Sequence, residues 1–243
     1  MKKIVCIPVF NEAHRLNQLI DNLNKSSLKN DEILFINDGS KDKSKSMIIK
    51  SNYNLISFEK NYGVGHSLMK GIEYAINNKI EIFGVLSSNG KMLPSEINEL
   101  FDPIIKENYD FINGSRFLNK QKKINTPKFR KFLIILISKI ISFFVNYKIT
   151  DFSCGYRCFK VNCIKKLNIG LKDKSLYRYK FETLLFSKVI INRNIKFKEV
   201  GITMNYPIDK KNYTKIRPII DWYTILSPIF FNIIKNLIFR NKW

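Results

Sequence analysis

A chain of 243 residues with 45% hydrophobic, 13% aromatic and 26% charged residues is globular in composition, long enough for one large domain or two closely packed halves. Its formal charge is +22, and the excess is not evenly spread. Residues 1–115 hold 14 basic and 14 acidic residues, whereas residues 116–243 hold 28 and 6, so the second part is suited to nucleic acid, an anionic membrane or a phosphorylated substrate, if it is not simply a solvated lysine-rich surface.

The four cysteines (Cys6, Cys154, Cys158, Cys163) have neither the spacing of a secreted disulfide scaffold nor a second pair to complete a zinc site, and they read as reduced thiols of a cytosolic chain. The first ten residues read as a strand, not as a secretory signal.

Taken in order, Lys3–Val9 is a short apolar run typical of a buried strand. Residues 11–24 carry Leu16, Leu19, Ile20 and Leu23 at helical spacing. Residues 32–37 form a second buried strand, stopped by Asp38-Gly39-Ser40, and a helix follows through Ile48 and Ile49. Asn54–Phe58 is a third strand, residues 65–76 a further helix, residues 80–87 a fourth strand and residues 109–113 another. This alternation predicts an α/β fold, a Rossmann-like, mostly parallel sheet with helices on both faces. In such sheets ligands bind beyond the carboxyl ends of the strands, where Asn11, Asp38, Asn61 and residues 87–91 emerge.

Residues 132–147 are apolar but too short to span a bilayer, which takes roughly 20 apolar residues. They read as a partly buried or interfacial helix. In the tail, Ile219, Tyr223, Leu226, Phe230, Ile233 and Leu237 recur at steps of four and three, widened by Ile220, Ile229 and Ile234, with Pro228 expected to bend the helix. Trp222, Tyr223, Trp243, Lys235, Arg240 and Lys242 are residue types favoured at lipid headgroups. An amphipathic C-terminal helix on the membrane is expected; docking on the protein's own core, or a dimer contact, is the alternative. No helix-turn-helix, zinc or aromatic RNA-binding signature accompanies the charge, so nucleic acid is not an expected partner.

Five motifs carry chemistry. Ile7-Pro8-Val9-Phe10-Asn11-Glu12 follows the first strand. Asn37-Asp38-Gly39-Ser40, with Asp42, follows the second. Asn61-Tyr62-Gly63-Val64-Gly65 precedes a helix, with Gly71 six residues on. Gly114-Ser115-Arg116 and Thr150-Asp151-Phe152-Ser153-Cys154-Gly155-Tyr156-Arg157 lie further along. Phe10 can stack on a base, and Glu12 can accept its N–H donors or cap the next helix. Asp38 can accept from a base or ribose, or form a turn with Gly39. Gly63 and Gly65 permit close backbone approach and present amides to an anion. Arg116 can pair with a phosphate bidentately, and Arg130, Lys131, Arg157 and Lys215 are further phosphate candidates.

In order and spacing these motifs resemble the family 2 glycosyltransferases, most closely their polyprenyl-phosphate sugar transferase branch, over nearly the whole chain. The resemblance implies a GT-A fold and inverting transfer from a GDP- or UDP-sugar, with Pro8, Phe10, Glu12, Asp38, Gly63, Ser87 and Asn89 at the donor. It implies a polyprenyl phosphate acceptor, with the basic positions Arg130, Arg157 and Lys215 holding the acceptor lipid phosphate or the donor pyrophosphate, and Asp151 as an acidic residue near the acceptor. A phosphate acceptor is already ionised and needs no strong base, so Asp151 acts on the acceptor, orients an arginine, caps a helix or pairs with Arg157. The expected organisation is residues 1–115 for the donor, 116–217 for the acceptor and 218–243 as the membrane helix, with the protein cytoplasmic and peripheral on the inner face of the membrane. A polysaccharide or lipopolysaccharide hydroxyl is the alternative acceptor.

The resemblance breaks at one place. The family carries Asp-x-Asp after the fourth strand to bind Mg2+ or Mn2+, whereas here Ser87 and Asn89 take those positions and Lys91 follows. Neutral oxygens suit a hard cation poorly. The expectation is a metal-independent enzyme in which Lys91, helped by Arg116, stabilises the leaving group. The alternatives are weak metal binding through Asp38 and substrate phosphates, or a degenerate chain that binds nucleotide or lipid without transfer.

Overall fold

The structure, a computed structural model, describes residues 1–118, 126–145, 147–206 and 220–240. Lys215, Ile219, Lys242 and Trp243 lie outside the described residues, as does the side chain of Arg240. Among the described residues, strands β1 (Lys3–Val9), β2 (Ile33–Asp38), β3 (Asn54–Phe58), β4 (Ile82–Val85), β5 (Phe111–Ser115), β6 (Arg157–Lys160) and β7 (Phe197–Gly201) form one sheet. Their order is β3-β2-β1-β4-β6-β5-β7. β1 pairs in parallel with β2 and β4, β2 with β3, and β5 with β7. Only β6 runs against its neighbours β4 and β5.

Helices cover both faces, as the alternation predicts. On one side lie α1 (Ala13–Asn24), α2 (Ser44–Lys50) and α4 (Ile97–Lys106), whose Leu16, Leu19, Ile48, Leu100 and Phe101 meet Val5, Phe35 and Ile112 of the sheet. On the other lie α3 (Val64–Asn77), α5 (Lys128–Phe144), α7 (Lys180–Ile191) and α8 (Ile220–Arg240), packed over Ile4, Ile36, Phe83, Phe111 and Phe159. The short α6 (Asn162–Lys166) follows β6.

α5 and α8 depart from a simple amphipathic pattern. α8 continues as a helix through Pro228. Ile225, Ile229 and Ile233, spaced four apart, are buried, and Asn232 Nδ2 donates to Ser187 Oγ of α7 at 2.8 Å. The tail is thus docked on the protein's own core, and the buried line differs from the predicted stripe: Tyr223 and Ile234 point outward, with Phe231 and Ile238. α5 buries Ile134, Ser138 and Ile141 and exposes Phe129, Phe132, Leu136, Ile140 and Phe143. Those five recur at steps of three and four, so they form a second apolar stripe. No helix among the described residues is long and apolar enough to cross a membrane.

Candidate active site

The carboxyl ends of β1, β2 and β4 open into a cavity of about 510 Å³. The sequence-predicted site residues line it except Gly65, Asp151 (behind Arg116), Lys131 (exposed on α5) and Lys215 (outside the described residues).

The donor-side loops are tied to one another. Asn11 adopts a left-handed φ of 52° as the chain leaves β1. Its amide donates to Ser40 Oγ at 3.0 Å, and the Glu12 amide donates to Ser44 Oγ at 3.0 Å. Glu12 is the first residue of the α1 turn, yet its side chain makes no cap. Asp42 does this instead: its carboxylate accepts from the Ala13 amide and the Ser44 amide, both at 2.9 Å. One carboxylate thereby holds the starts of α1 and α2, and the Glu12 side chain is left at the buried edge of the cavity. Asp38 does not form a turn with Gly39. It accepts from the amides of Tyr62 and Gly63 at 2.9 and 2.7 Å. Burial raises its pKa despite those bonds and the nearby His66.

The glycines serve the fold more than a ligand. Gly63 has φ 104°, and its amide is taken by Asp38. A Cβ on Gly63 would lie 2.6 Å from the Tyr177 carbonyl oxygen, and one on Gly65 would collide with the carbonyls of Leu176 and Arg178. Their close approach is to residues 176–178, which the His66 amide also binds through the Tyr177 carbonyl at 2.9 Å. The expectation that the Gly63 amide is open to an anion is corrected.

Arg116 and Asp151 form a buried pair, 2% and 0% exposed. Arg116 Nε and Nη2 donate to the two Asp151 oxygens at 2.6 and 2.7 Å, Nη2 also to Ser153 Oγ at 2.6 Å, and Nη1 to Tyr206 Oη at 2.7 Å. Four of its five N–H groups are thus committed. Burial alone would lower the Arg116 pKa, but Asp151 outweighs it and raises it. Bidentate phosphate recognition by Arg116 is therefore corrected, because the fork is filled by Asp151. Asp151 orients Arg116 and does not pair with Arg157. Arg157 donates to Asn113 Oδ1 at 2.9 Å, the Glu182 carbonyl at 2.9 Å and the Phe152 carbonyl at 3.1 Å, which fastens α7 to the cavity wall and commits three of its five N–H groups.

Lys91 has a different setting. Ser87 Oγ accepts from the Asn89 amide at 3.4 Å and Asn89 Oδ1 from the Lys91 amide at 3.2 Å, so both neutral side chains shape the turn after β4. An antiparallel bridge between Met92 and Met204 lays residues 203–206 along this turn. The Asn205 amide bonds the Lys91 carbonyl at 2.9 Å, and Glu96 accepts from the Thr203 amide and hydroxyl at 2.8 and 2.7 Å. Tyr206 is thereby brought under two cations. Lys91 Nζ lies 5.1 Å and the Arg130 guanidinium carbon 6.0 Å from its ring centroid. Burial, then the charges of Arg130 and Arg15, pull the Lys91 pKa down to about 8, against Glu12, which raises it.

Sequence reasoning missed Arg15, Tyr206, Arg178, Tyr179, Glu182, Asp221 and Trp222, all of which line the cavity. Arg15 could have been found, one helical turn beyond Glu12. Tyr206 had no local signal.

The residues do not fit a divalent cation. The positions expected to carry carboxylates hold Ser87 and Asn89, whose oxygens are engaged in the turn, and Lys91, two residues on, adds positive charge within reach of Arg130 and Arg15. Among the described residues, no group of three His, Cys, Asp or Glu side chains could hold a metal.

A mostly parallel sheet with one reversed strand, and a cavity at its carboxyl edge, define a GT-A glycosyltransferase fold. The model for "Glycosyl transferase family 2" matches residues 4–167, and the chain belongs to that family. It is 27% identical to the UDP-N-acetylglucosamine–dolichyl-phosphate N-acetylglucosaminyltransferase of Methanococcus voltae, over 82% of this chain and 84% of that one. It is 21% identical to the polyprenol monophosphomannose synthase of Mycolicibacterium smegmatis, over 83% and 77%. Among solved structures it is similar to glucosyl-3-phosphoglycerate synthase of Mycobacterium tuberculosis in complex with Mn2+, UDP and glucosyl-3-phosphoglycerate, with a TM-score of 0.65 at 15% identity over 94% and 80% of the chains.

Proposed function

We propose that this glycosyltransferase moves a sugar, with inversion, from a UDP- or GDP-sugar to a polyprenyl phosphate at a membrane surface. The observation that carries the reading is the placement of α5 and α8. Arg130 of α5 and Asp221, Trp222 and Ile225 of α8 stand at the cavity, while their outer faces expose Phe129, Phe132 and Tyr223. A lipid-linked phosphate could keep its chain in the bilayer while its headgroup enters the cavity beside α8. The names of the relatives in Methanococcus and Mycolicibacterium, which specify dolichyl phosphate and polyprenol, support the same acceptor class.

In this reading, residues 1–115 hold the donor through Phe10, Glu12 and Asp38, and residues 116–217 receive the acceptor. An ionised phosphate oxygen attacks the anomeric carbon on the face opposite the nucleoside diphosphate. The new C–O bond forms as the bond to the diphosphate breaks, and the diphosphate leaves with the electron pair. No proton is removed from the acceptor, which agrees with a site whose Asp151 is sealed beneath Arg116. The apolar outer faces and the basic second half support a peripheral position on the cytoplasmic face of a membrane.

The test is a panel of UDP- and GDP-sugars offered to the purified protein with a short-chain polyprenyl phosphate in vesicles. Sugar should appear in the lipid phase, attached to phosphate. Transfer only to a polysaccharide hydroxyl would refute this acceptor.

A further inference from the structure

Three cations from separate elements meet in the cavity: Arg15 on α1, Lys91 on the turn after β4 and Arg130 on α5. Such a cluster favours an anion, because like charges in a partly desolvated site repel and Glu12, 3.6 Å from Arg15, offsets only part of that repulsion at Lys91. Two observations show it to be set up for one. Arg130 Nε is buried and has no hydrogen-bond acceptor among the described residues. Arg116 is already committed to Asp151, whereas Arg15 pairs with Glu12 only at 3.6 Å and stays at the cavity wall with Lys91 and Arg130.

We propose that Arg15, Lys91 and Arg130 bind the diphosphate of the nucleotide-sugar in place of a divalent metal ion, so that donor binding and departure of the nucleoside diphosphate proceed without metal. This rests on the reading of the protein as a nucleotide-sugar transferase. A divalent ion bridging a diphosphate neutralises two negative charges. Two or three fixed cations supply at least as much, with N–H donors that require no carboxylate ligands. The same substitution explains why Ser87 and Asn89 are tolerated: carboxylates there would neutralise Lys91 and no longer be needed to hold an ion. Tyr206 is a positioning residue, carrying Lys91 and Arg130 over its ring and taking its hydroxyl contact from Arg116.

Calorimetric titration of the full chain with UDP and with GDP, in excess EDTA and separately in Mn2+, tests this without turnover. The nucleotide that binds should do so with Kd equal within about threefold in the two buffers. Lys91→Met and Arg130→Gln should each weaken it tenfold or more, and Lys91→Arg should restore it to within about fivefold. The wild-type comparison needs no variant, so poor folding of one substitution does not remove the test. Binding in Mn2+ that is lost in EDTA overturns the inference and leaves the transferase reading intact. Binding of neither nucleotide in either buffer overturns both. A short isoprenyl phosphate serves as a further arm. If Lys91→Met and Arg130→Gln lose that ligand but keep nucleoside diphosphate affinity, the cations belong to the acceptor and the inference fails.

Discussion

Replacing Asp151 with Asn separates a residue that acts on substrate from one that holds the site together. The substitution keeps shape and one oxygen but removes the negative charge under a guanidinium that is 2% exposed. Arg116 would keep Ser153 and Tyr206 as partners and lose its counter-charge. Breaking a buried ion pair from one side costs about 3–5 kcal/mol, and the retained oxygen places this variant near the lower end. For a chain of this size each kcal/mol moves Tm by roughly 2–4 °C, so Tm should fall by roughly 10 °C. Nucleotide affinity at low temperature should drop only a few-fold, because the residue does not touch ligand. Replacing both partners (Arg116→Met with Asp151→Leu) should cost less than the two single changes added together. Thermal unfolding by circular dichroism, with binding measured on the folded variant, decides the matter. An Asp151→Asn protein that melts within about 2 °C of wild type yet loses transfer more than a hundredfold would refute the positioning role and return Asp151 to direct catalysis.

The pH dependence of donor binding should report Lys91. Its pKa lies near 8, below the ordinary lysine value of 10.5, with Arg130, Arg15, Arg116, Glu12 and the Tyr206 ring around it. Affinity should decline as pH rises through about 8 and the ammonium is lost, and Lys91→Arg should abolish that decline. For the ligand-free protein the sign is opposite. Between about 8 and 10.5 the unfolded chain holds a proton that the folded chain has released, so stability rises with pH across that window. Gly65→Ala should destabilise strongly, by about 3 kcal/mol or more, because its Cβ meets two carbonyls. Gly90→Ala, at φ 70° with open space around it, should cost only about 1 kcal/mol, and urea denaturation compares the two. Phe132→Ser with Phe143→Ser should leave Tm unchanged, since both side chains are exposed, yet lower binding to anionic vesicles tenfold or more in a sedimentation assay.

Much of the first half was legible because its signals are local. Apolar runs of five to seven residues mark β1, β2 and β3, and Leu16, Leu19 and Leu23 show which face of α1 is buried. The break at Ser87, Asn89 and Lys91 was also legible, since side-chain charge is a property of sequence. The reversed strand β6 was not, because its four residues, paired on both sides, carry no alternation that reports direction. Nor was the buried side of α8, since a helix apolar on two faces has a period but no unique inside.

Sequence alone determined the alternating α/β architecture, the family motifs, the loss of the paired carboxylates and the concentration of charge after residue 115. Tertiary structure decided how that charge is used. Arg116 meets Asp151 across 35 positions and Tyr206 across 90, and these contacts turn the strongest phosphate candidate into an internal support. The Met92–Met204 bridge sets Tyr206 beneath Lys91 and Arg130. The physical reason is range: helix and strand periods act between neighbours, whereas a cation's role depends on which charges lie within a few ångströms once distant segments have packed.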